Sequence, residues 1–279
     1  MNEFAFQLGT GQNLVGVLTP AQGKPSSLAV LLLNAGVVHR IGPHRTSVKL
    51  ARHLAQQGYT VARFDVSGVG DSRTPHDAAP FARQAQLDIL TVMDHLEHQH
   101  GMTRFALFGI CSGAVMSYET ALADIRVVGV FMFDGYAYPT LKKHLIQYAL
   151  RLKKLTLRQL PLTFVRHASQ ALGRAFSTGG RQETIAAATA LAGRPTRQQY
   201  ASAIQQMVDR RVQVAMLFSS SVFLQYSYAG QLRDAFKRYG FIDRVACDYV
   251  PESDHLVSSL GAQRRLVELL DAWIARIAR

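Results

Sequence analysis

Cysteine and long apolar runs are scarce in this chain of 279 residues, and each scarcity excludes a class of protein. The two cysteines, Cys111 and Cys247, lie far apart and show no metal-type spacing to histidine, so we expect neither a disulfide framework nor a metal site. The longest early apolar run, 28–33, is far shorter than the roughly 20 residues of a membrane-spanning helix. The first residues lack the basic start and apolar core of a secretory signal, so we expect a cytoplasmic protein.

Strand and helix patterns alternate along most of the chain. Strands are predicted at 28–34, 60–66, 104–110, 126–133, 212–218 and 244–250. One of the intervening helices is expected to begin at Pro80 and end at Gly101, which are residues typical of a helix start and stop. This alternation predicts an α/β fold with a mostly parallel, doubly wound sheet.

The formal net charge of +12 is concentrated in one segment, 135–211. Thirteen lysine and arginine residues lie there against two acidic residues, Glu183 and Asp209. Because the segment interrupts the strand and helix alternation, we interpret it as an insertion in a core formed by 1–134 and 212–279. No nucleic-acid-binding module accompanies the charge, and few aromatic residues are interleaved with it, so we expect no nucleic acid partner.

The stretch "FALFGICSGAVMSYETA", 105–121, passes from an apolar strand through a Cys-Ser pair into a helical pattern. A nucleophile on a sharp strand-to-helix turn needs small residues two positions before and two positions after it. Cys111 meets this requirement with Gly109 and Gly113, whereas Ser112 would have the branched Ile110 before it. We therefore predict Cys111 as the nucleophile and the Ser112 N–H as an oxyanion donor, against the alternative of a buried structural cysteine.

Several motifs together resemble the α/β-hydrolase superfamily. The G-x-C-x-G turn is similar to that of the dienelactone hydrolases and polyhydroxyalkanoate synthases, which use cysteine. The stretches "NAGVVHRIGPHR", "FDVSGVGDS" and "GICSGA" more closely resemble hydrolases encoded with bacterial exosortase and exopolysaccharide systems. The resemblance covers about 25–134 and 212–279, and it implies the α/β-hydrolase fold and acyl chemistry.

The same resemblance implies partners for the nucleophile. The histidine comes last in the chain order of this fold, and His255 in "VPESDHLVSS" follows the final strand. The usual place of the acid, after 212–218, reads "SSSVFLQYSY" and contains no carboxylate. Asp134, one strand earlier, is the predicted acid, against the alternative that it only caps a turn. Asp254 adjoins His255 and has an awkward path to its ring.

The loop after 28–34 holds the remaining site candidates. Val37 is predicted as the second oxyanion donor, because its N–H occupies the corresponding loop of the fold. His39 and Arg40 are candidates for binding an anionic substrate group, with a solvated loop as the equal alternative. Asp65 and Asp71 lie in a glycine-rich stretch without the lysine of a phosphate-binding loop, so we expect them to be structural.

These residues predict a hydrolase that cleaves an ester or thioester through an acyl-cysteine, with a small-molecule or acyl substrate and without cofactor or metal. An acyltransferase that uses the same intermediate is one alternative. A non-catalytic binding protein on a hydrolase scaffold is the other, because the carboxylate after 212–218 is missing.

The basic insertion is expected to form a helical cap over the site. An apolar stripe recurs every three or four residues in its first helix, at Leu141, Leu145, Tyr148, Leu152 and Leu155. One interpretation, given equal weight with its alternative, is that the stripe packs on the domain with the charges in solvent. The alternative is a surface for an acidic partner, namely an acyl carrier protein, an anionic polysaccharide or an anionic lipid surface.

Overall fold

The computed structural model describes residues 2–9, 11–23, 26–154 and 193–277, with the side chains of 151–154 left aside. Its strands are β1 (Phe4–Leu8), β2 (Leu14–Thr19), β3 (Leu28–Leu32), β4 (Thr60–Phe64), β5 (Arg104–Ile110), β6 (Val127–Phe133), β7 (Gln213–Ser219) and β8 (Ala246–Val250).

Seven α-helices lie in the described ranges. They are α1 (Thr46–Gln56), α2 (Phe81–His100), α3 (Ser112–Ala123), α4 (Leu141–Lys154), α5 (Arg197–Asp209), α6 (Gln231–Phe236) and α7 (Leu260–Ile277). The predicted stop of α2 is confirmed, since Gly101 ends this helix in the left-handed conformation with φ 66°. Within the same ranges, no helix has the length and apolar character needed to cross a membrane.

The eight strands form one sheet in the order β1-β2-β4-β3-β5-β6-β7-β8. The first two strands are antiparallel to their neighbours, and all pairs from β4 to β8 are parallel. In β3 the side chains of Ala29 and Leu31 pack on one face, and those of Leu28, Val30 and Leu32 on the other. The central strands are buried on both sides, which explains their uninterrupted apolar sequences.

Helices cover both faces of the sheet. α1 and α7 pack on one face through Leu54, Leu270 and Trp273. α2, α3 and α5 pack on the other through Ile89, Met116 and Ile204. This arrangement is the predicted doubly wound α/β architecture, and it gathers the loops after β3, β5, β6, β7 and β8 at the carboxyl edge of the sheet.

The range assigned to the basic insertion contains two helices with different surroundings. α5 falls inside 135–211, yet five of its side chains are buried in the core, namely Tyr200, Ala201, Ile204, Met207 and Val208. This helix is therefore part of the layer that covers the sheet.

The apolar stripe of α4 does not pack on the domain over the described residues, contrary to the first of its two interpretations. Leu141, Leu145 and Tyr148 are 85%, 69% and 60% exposed. The side chain of Gln147 points from a different side of the helix, and its amide donates to the carbonyl oxygens of Phe223 and Leu224 at 3.1 and 3.2 Å. The hydrogen bonds of Gln147 thus connect α4 to the segment after β7, whereas packing of the apolar stripe would have connected it through apolar contacts. The other two residues of the stripe are not covered: the structure describes neither the side chain of Leu152 nor any part of Leu155.

Candidate active site

Cys111 lies at the sharp turn between β5 and α3, at the carboxyl edge of the sheet. Its backbone has φ 59° and ψ −116°, a conformation that is costly for a residue with a Cβ atom. A Cβ atom on Gly109 would overlap the backbone of Gly113, and one on Gly113 would lie 2.6 Å from the carbonyl oxygen of Asn34. The turn therefore requires glycine at both positions, which is the reason the sequence pattern singles out Cys111.

His255 and Asp134 meet beside this turn. The Nδ1 atom of His255 lies 2.7 Å from Oδ2 of Asp134. The Asp134 side chain is fully buried just past the end of β6, and one third of the His255 side chain is exposed in the loop after β8. The imidazole also interacts with the thiol of Cys111. Three residues predicted from three separate strand ends thus form one row of thiol, imidazole and carboxylate.

The charges in this row support one another. Hydrogen bonding with His255 lowers the pKa of the Cys111 thiol, partly opposed by burial, which raises it. The pKa of His255 is raised to about 10, first by its hydrogen bond to Asp134 and then by its interaction with Cys111. Both pKa shifts favour the thiolate form of Cys111 and the imidazolium form of His255. This pairing is the electrostatic arrangement that a cysteine nucleophile requires.

Two backbone amides contact the Cys111–Ser112 pair: that of Ser112, which the sequence singles out, and that of Gly36, which it does not. The backbone N–H of Ser112 interacts with the Cys111 sulfur and helps to lower the pKa of the thiol. The Ser112 hydroxyl accepts a hydrogen bond of 2.8 Å from the N–H of Gly36. Val37 follows in the same loop with its side chain 86% exposed, and its role as an oxyanion donor stays a prediction.

Residues 219–221, which we call the serine loop, begin at the last residue of β7 and continue into the stretch where the sequence lacks the expected carboxylate. The N–H and hydroxyl of Ser219 donate to the two oxygens of Asp134 at 2.7 and 2.6 Å. The Ser221 hydroxyl accepts a hydrogen bond of 2.8 Å from the N–H of His255. The sequence analysis did not single out these serines. Their position at the carboxyl end of the parallel strand next to β6 could have indicated that they lie near Asp134.

Two other titratable residues, Asp254 and Cys247, make contacts of a structural kind. Asp254 accepts hydrogen bonds from the N–H groups of Leu256 and Ser258 at 3.2 and 2.9 Å, and so it holds the turn that carries His255. Cys247 lies against the Tyr226 hydroxyl at 3.4 Å, and burial raises the pKa of its thiol to about 11. A thiol with so high a pKa is a poor nucleophile at neutral pH.

His39 and Arg40 belong to an ion-pair cluster instead of a free anion site. The Arg40 guanidinium contacts Asp65 and lies 2.8 Å from Asp71, and its side chain is only 13% exposed. The ligand atoms of His39, Asp65 and Asp71 lie within 4.8 Å of one another, a grouping that could hold a metal ion. Because Arg40 already supplies a positive charge between the two carboxylates, the geometry favours a structural role for all four residues.

Part of the basic segment lines a cavity of about 550 Å³ at the starts of α4 and α5. Lys142, Arg197, Lys237 and Arg238 face it together with Asp234. The acidic partner predicted for this segment stays a prediction, and the basic side chains between 151 and 192 lie outside the described residues.

Comparisons with known proteins agree with this architecture. The family model described as serine aminopeptidase, S33, matches residues 33–249. A thermophilic esterase from Thermogutta terrifontis has 15% identity over 100% of both chains, with a TM-score of 0.58. A dienelactone hydrolase from Anabaena variabilis has 14% identity over 98% of this chain and 97% of that chain, with a TM-score of 0.55.

An α/β serine hydrolase described as lacking a lid, from Xanthomonas campestris, has 14% identity over 98% of this chain and 94% of that chain, with a TM-score of 0.58. No curated protein gives a significant match. At such low identity the similar structures show the fold alone, which is the α/β-hydrolase fold that the motifs predicted.

Proposed function

The chain belongs to the serine aminopeptidase S33 family of α/β hydrolases, and we propose that it cleaves a carboxylic ester or thioester through an acyl-cysteine intermediate. The observation that carries this proposal is His255, which is hydrogen-bonded to the buried Asp134 on one side and interacts with Cys111 on the other. This is the order of nucleophile, base and orienting acid that acyl transfer requires.

The first half of the reaction forms the acyl-enzyme. The Cys111 thiolate attacks the carbonyl carbon, and a carbon–sulfur bond forms while the carbonyl oxygen becomes an oxyanion. The N–H of Ser112, together with the predicted donor Val37, stabilises that charge. As the intermediate collapses, the imidazolium of His255 gives its proton to the leaving alkoxide or thiolate.

The second half restores the resting enzyme. Neutral His255 takes a proton from water, and the resulting hydroxide attacks the acyl carbon of the thioester on Cys111. The carbon–sulfur bond breaks, the sulfur leaves as a thiolate, and a carboxylic acid is released. Cys111 and His255 then carry the same charges as at the start, with Asp134 holding the imidazole throughout.

A cysteine nucleophile departs from the serine in the family's name, and Ser112 is the only adjacent alternative. The Ser112 hydroxyl accepts a hydrogen bond from the N–H of Gly36, and Cys111 is the residue of the turn that has the strained backbone conformation. Both observations favour the thiol. The likeness to an esterase and to a dienelactone hydrolase supports an ester-type substrate.

The geometry weakens one alternative and leaves another to experiment. A non-catalytic binding protein was motivated by the missing carboxylate after β7, and the contact between Asp134 and His255 removes that motive. Acyl transfer to an alcohol uses the same intermediate. The likeness to hydrolases of exopolysaccharide systems suggests a polysaccharide hydroxyl as one acceptor worth supplying.

The test is to trap the intermediate. The protein is mixed with p-nitrophenyl acetate and quenched in acid, and the acetylated peptide is identified by mass spectrometry. We expect the acetyl group on Cys111, no acetylation and no turnover in Cys111→Ala, and retained acetylation in Ser112→Ala, which keeps the backbone N–H.

Acetylation of Ser112, or a Cys111→Ala protein with wild-type turnover, would contradict the mechanism. Thermal unfolding of each variant controls for folding. A parallel reaction with added alcohol or polysaccharide compares acid release with acyl transfer.

A further inference from the structure

The serine loop lies between the two strand ends that carry the acid and the base. β7 is paired on one side with β6 and on the other with β8. The N–H of Asp134 donates to the carbonyl oxygen of Leu217 at 2.8 Å, so the acid is tied to β7 through its backbone as well. The end of β7 therefore lies between the segments that carry Asp134 and His255.

Ser219 controls the orientation of the Asp134 carboxylate. Its N–H donates to Oδ1, and its hydroxyl donates to Oδ2, the same oxygen that faces His255 Nδ1. Ser219 is completely buried, so its hydroxyl bonds Asp134 away from bulk water. Two donors from one residue leave the carboxylate a single rotation, and in that rotation Oδ2 points at the imidazole.

The other two serines hold the loop that carries His255. This loop follows β8, the edge strand of the sheet. The N–H and hydroxyl of Ser220 donate to the carbonyl oxygen of Ser253 at 3.1 and 2.9 Å. The hydroxyl of Ser221 accepts a hydrogen bond of 2.8 Å from the backbone N–H of His255. The backbone of the base is thus fixed relative to β7.

We propose that the serine loop is a positioning device for the reaction, in which Ser219 aims the Asp134 carboxylate and Ser221 sets the place of His255, so that the imidazole faces Cys111. Neither serine touches the reacting atoms. The inference rests on the proposed function, because it assigns these serines to the same nucleophile, base and acid.

The experiment compares Ser219→Ala, Ser221→Ala and Ser221→Thr with the wild-type protein. Ser221 is exposed, so threonine fits there and keeps the hydroxyl. Ser202→Ala, an exposed position on α5, is the control. We expect kcat for p-nitrophenyl acetate to fall about tenfold in each alanine variant with KM within about twofold, and to recover in Ser221→Thr.

A second readout separates positioning from stability. The rate of Cys111 alkylation by iodoacetamide, followed by peptide mass mapping against pH, reports the thiolate. A loosened His255 stabilises the thiolate less, so the acid limb should move to higher pH by about one unit in Ser219→Ala. The other titratable groups packed nearby are Tyr249, whose pKa is raised by burial and by Asp134, and the pair Asp254 and His44 beyond the loop.

Unchanged kcat and an unchanged alkylation profile in both alanine variants would overturn the proposal. So would a lower melting temperature with no shift of the acid limb, because that result describes a purely structural role. If Cys111→Ala is inactive while the serine variants behave like the wild type, the serine loop inference fails alone. If Cys111→Ala stays active, the proposed function fails, and the alkylation profile still tests the serine loop.

Discussion

Replacing Asp134 by asparagine tests the electrostatics of the site most directly. The rise of the His255 pKa from 6.5 to about 10 corresponds to roughly 5 kcal/mol at about 1.4 kcal/mol per pKa unit. Asp134 and Cys111 share that energy, and solvent reduces it because one third of the imidazole side chain is exposed. We assign about 2 kcal/mol to Asp134, which corresponds to a fall of one to two units in the His255 pKa.

The hydrogen bonds around Asp134 add a second effect. An asparagine with its amide oxygen toward His255 turns its NH₂ group toward the N–H of Ser219, where two donors then face each other. The opposite rotation turns the NH₂ group toward His255 Nδ1 and selects the wrong tautomer of the imidazole. Either way we expect kcat/KM to fall by a factor of about one hundred, less than the roughly ten-thousand-fold loss for the matching change in a serine protease.

The assay combines two measurements on Asp134→Asn and on the control Asp77→Asn, which changes an exposed carboxyl. Steady-state kinetics gives kcat/KM, and a ¹⁵N NMR titration gives the pKa of His255. Because folding raises this pKa, its contribution to the free energy of unfolding is fully present below pH 6.5 and is lost as the pH rises through about 10. The stability difference between wild type and variant should therefore shrink over that range. A His255 pKa within about half a unit of the wild-type value would refute the reasoning.

Three further predictions concern the turn, the ion-pair cluster and the basic cavity. Gly109→Ala should lower the free energy of unfolding by about 3 kcal/mol in urea titrations, because the added methyl group meets the Gly113 backbone. The control Gly11→Ala should lower the free energy of unfolding by less, because Gly11 is exposed and no atom lies within 4 Å of its Cβ position. Arg40→Gln should lower the free energy of unfolding by about 3 kcal/mol, because the buried Asp65 loses its cation. The KM of this variant should stay near that of the control Arg45→Gln, which changes an exposed residue. A raised KM with unchanged stability would instead support substrate binding by Arg40. Lys237→Glu with Arg238→Glu should abolish any salt-sensitive binding of acidic acyl carrier protein, anionic polysaccharide or anionic vesicles, measured by titration at several salt concentrations. Equal binding by the variant and the wild type would exclude the cavity as the binding site for these acidic partners.

The turn at Cys111 could be predicted because the spacing of its two glycines is a pattern within five residues. Gly109 is needed because its Cβ would overlap the backbone of Gly113 in the same turn, whereas Gly113 is needed because the carbonyl oxygen of Asn34, beyond the end of β3, approaches it. Gly101 at the end of α2 could be predicted in the same way, from a local signal for a helix end. Asp134 and His255 were predictable for a related reason, since parallel strands bring their carboxyl ends to one edge whatever the details of packing.

The environment of α4 could not be predicted from its periodicity. The stripe that begins at Leu141 has the spacing of a packed helix face, yet the described part of it is exposed, and Gln147 makes the contact with the loop after β7. Periodicity tells which side chains share a face but not what that face meets. Arg40 shows the same limit, because nothing near it in sequence shows that Asp65 binds its guanidinium.

The sequence by itself determined the order of strands and helices, the strained turn with its cysteine, and the candidates for base and acid, because each depends on neighbouring residues or on the parallel sheet. Only the tertiary structure decided that Asp134 reaches His255, that the serine loop holds both, and that Gly36 bonds the Ser112 hydroxyl. These contacts join residues 34 to 121 positions apart, and their distances follow from how the loops pack at the edge of the sheet.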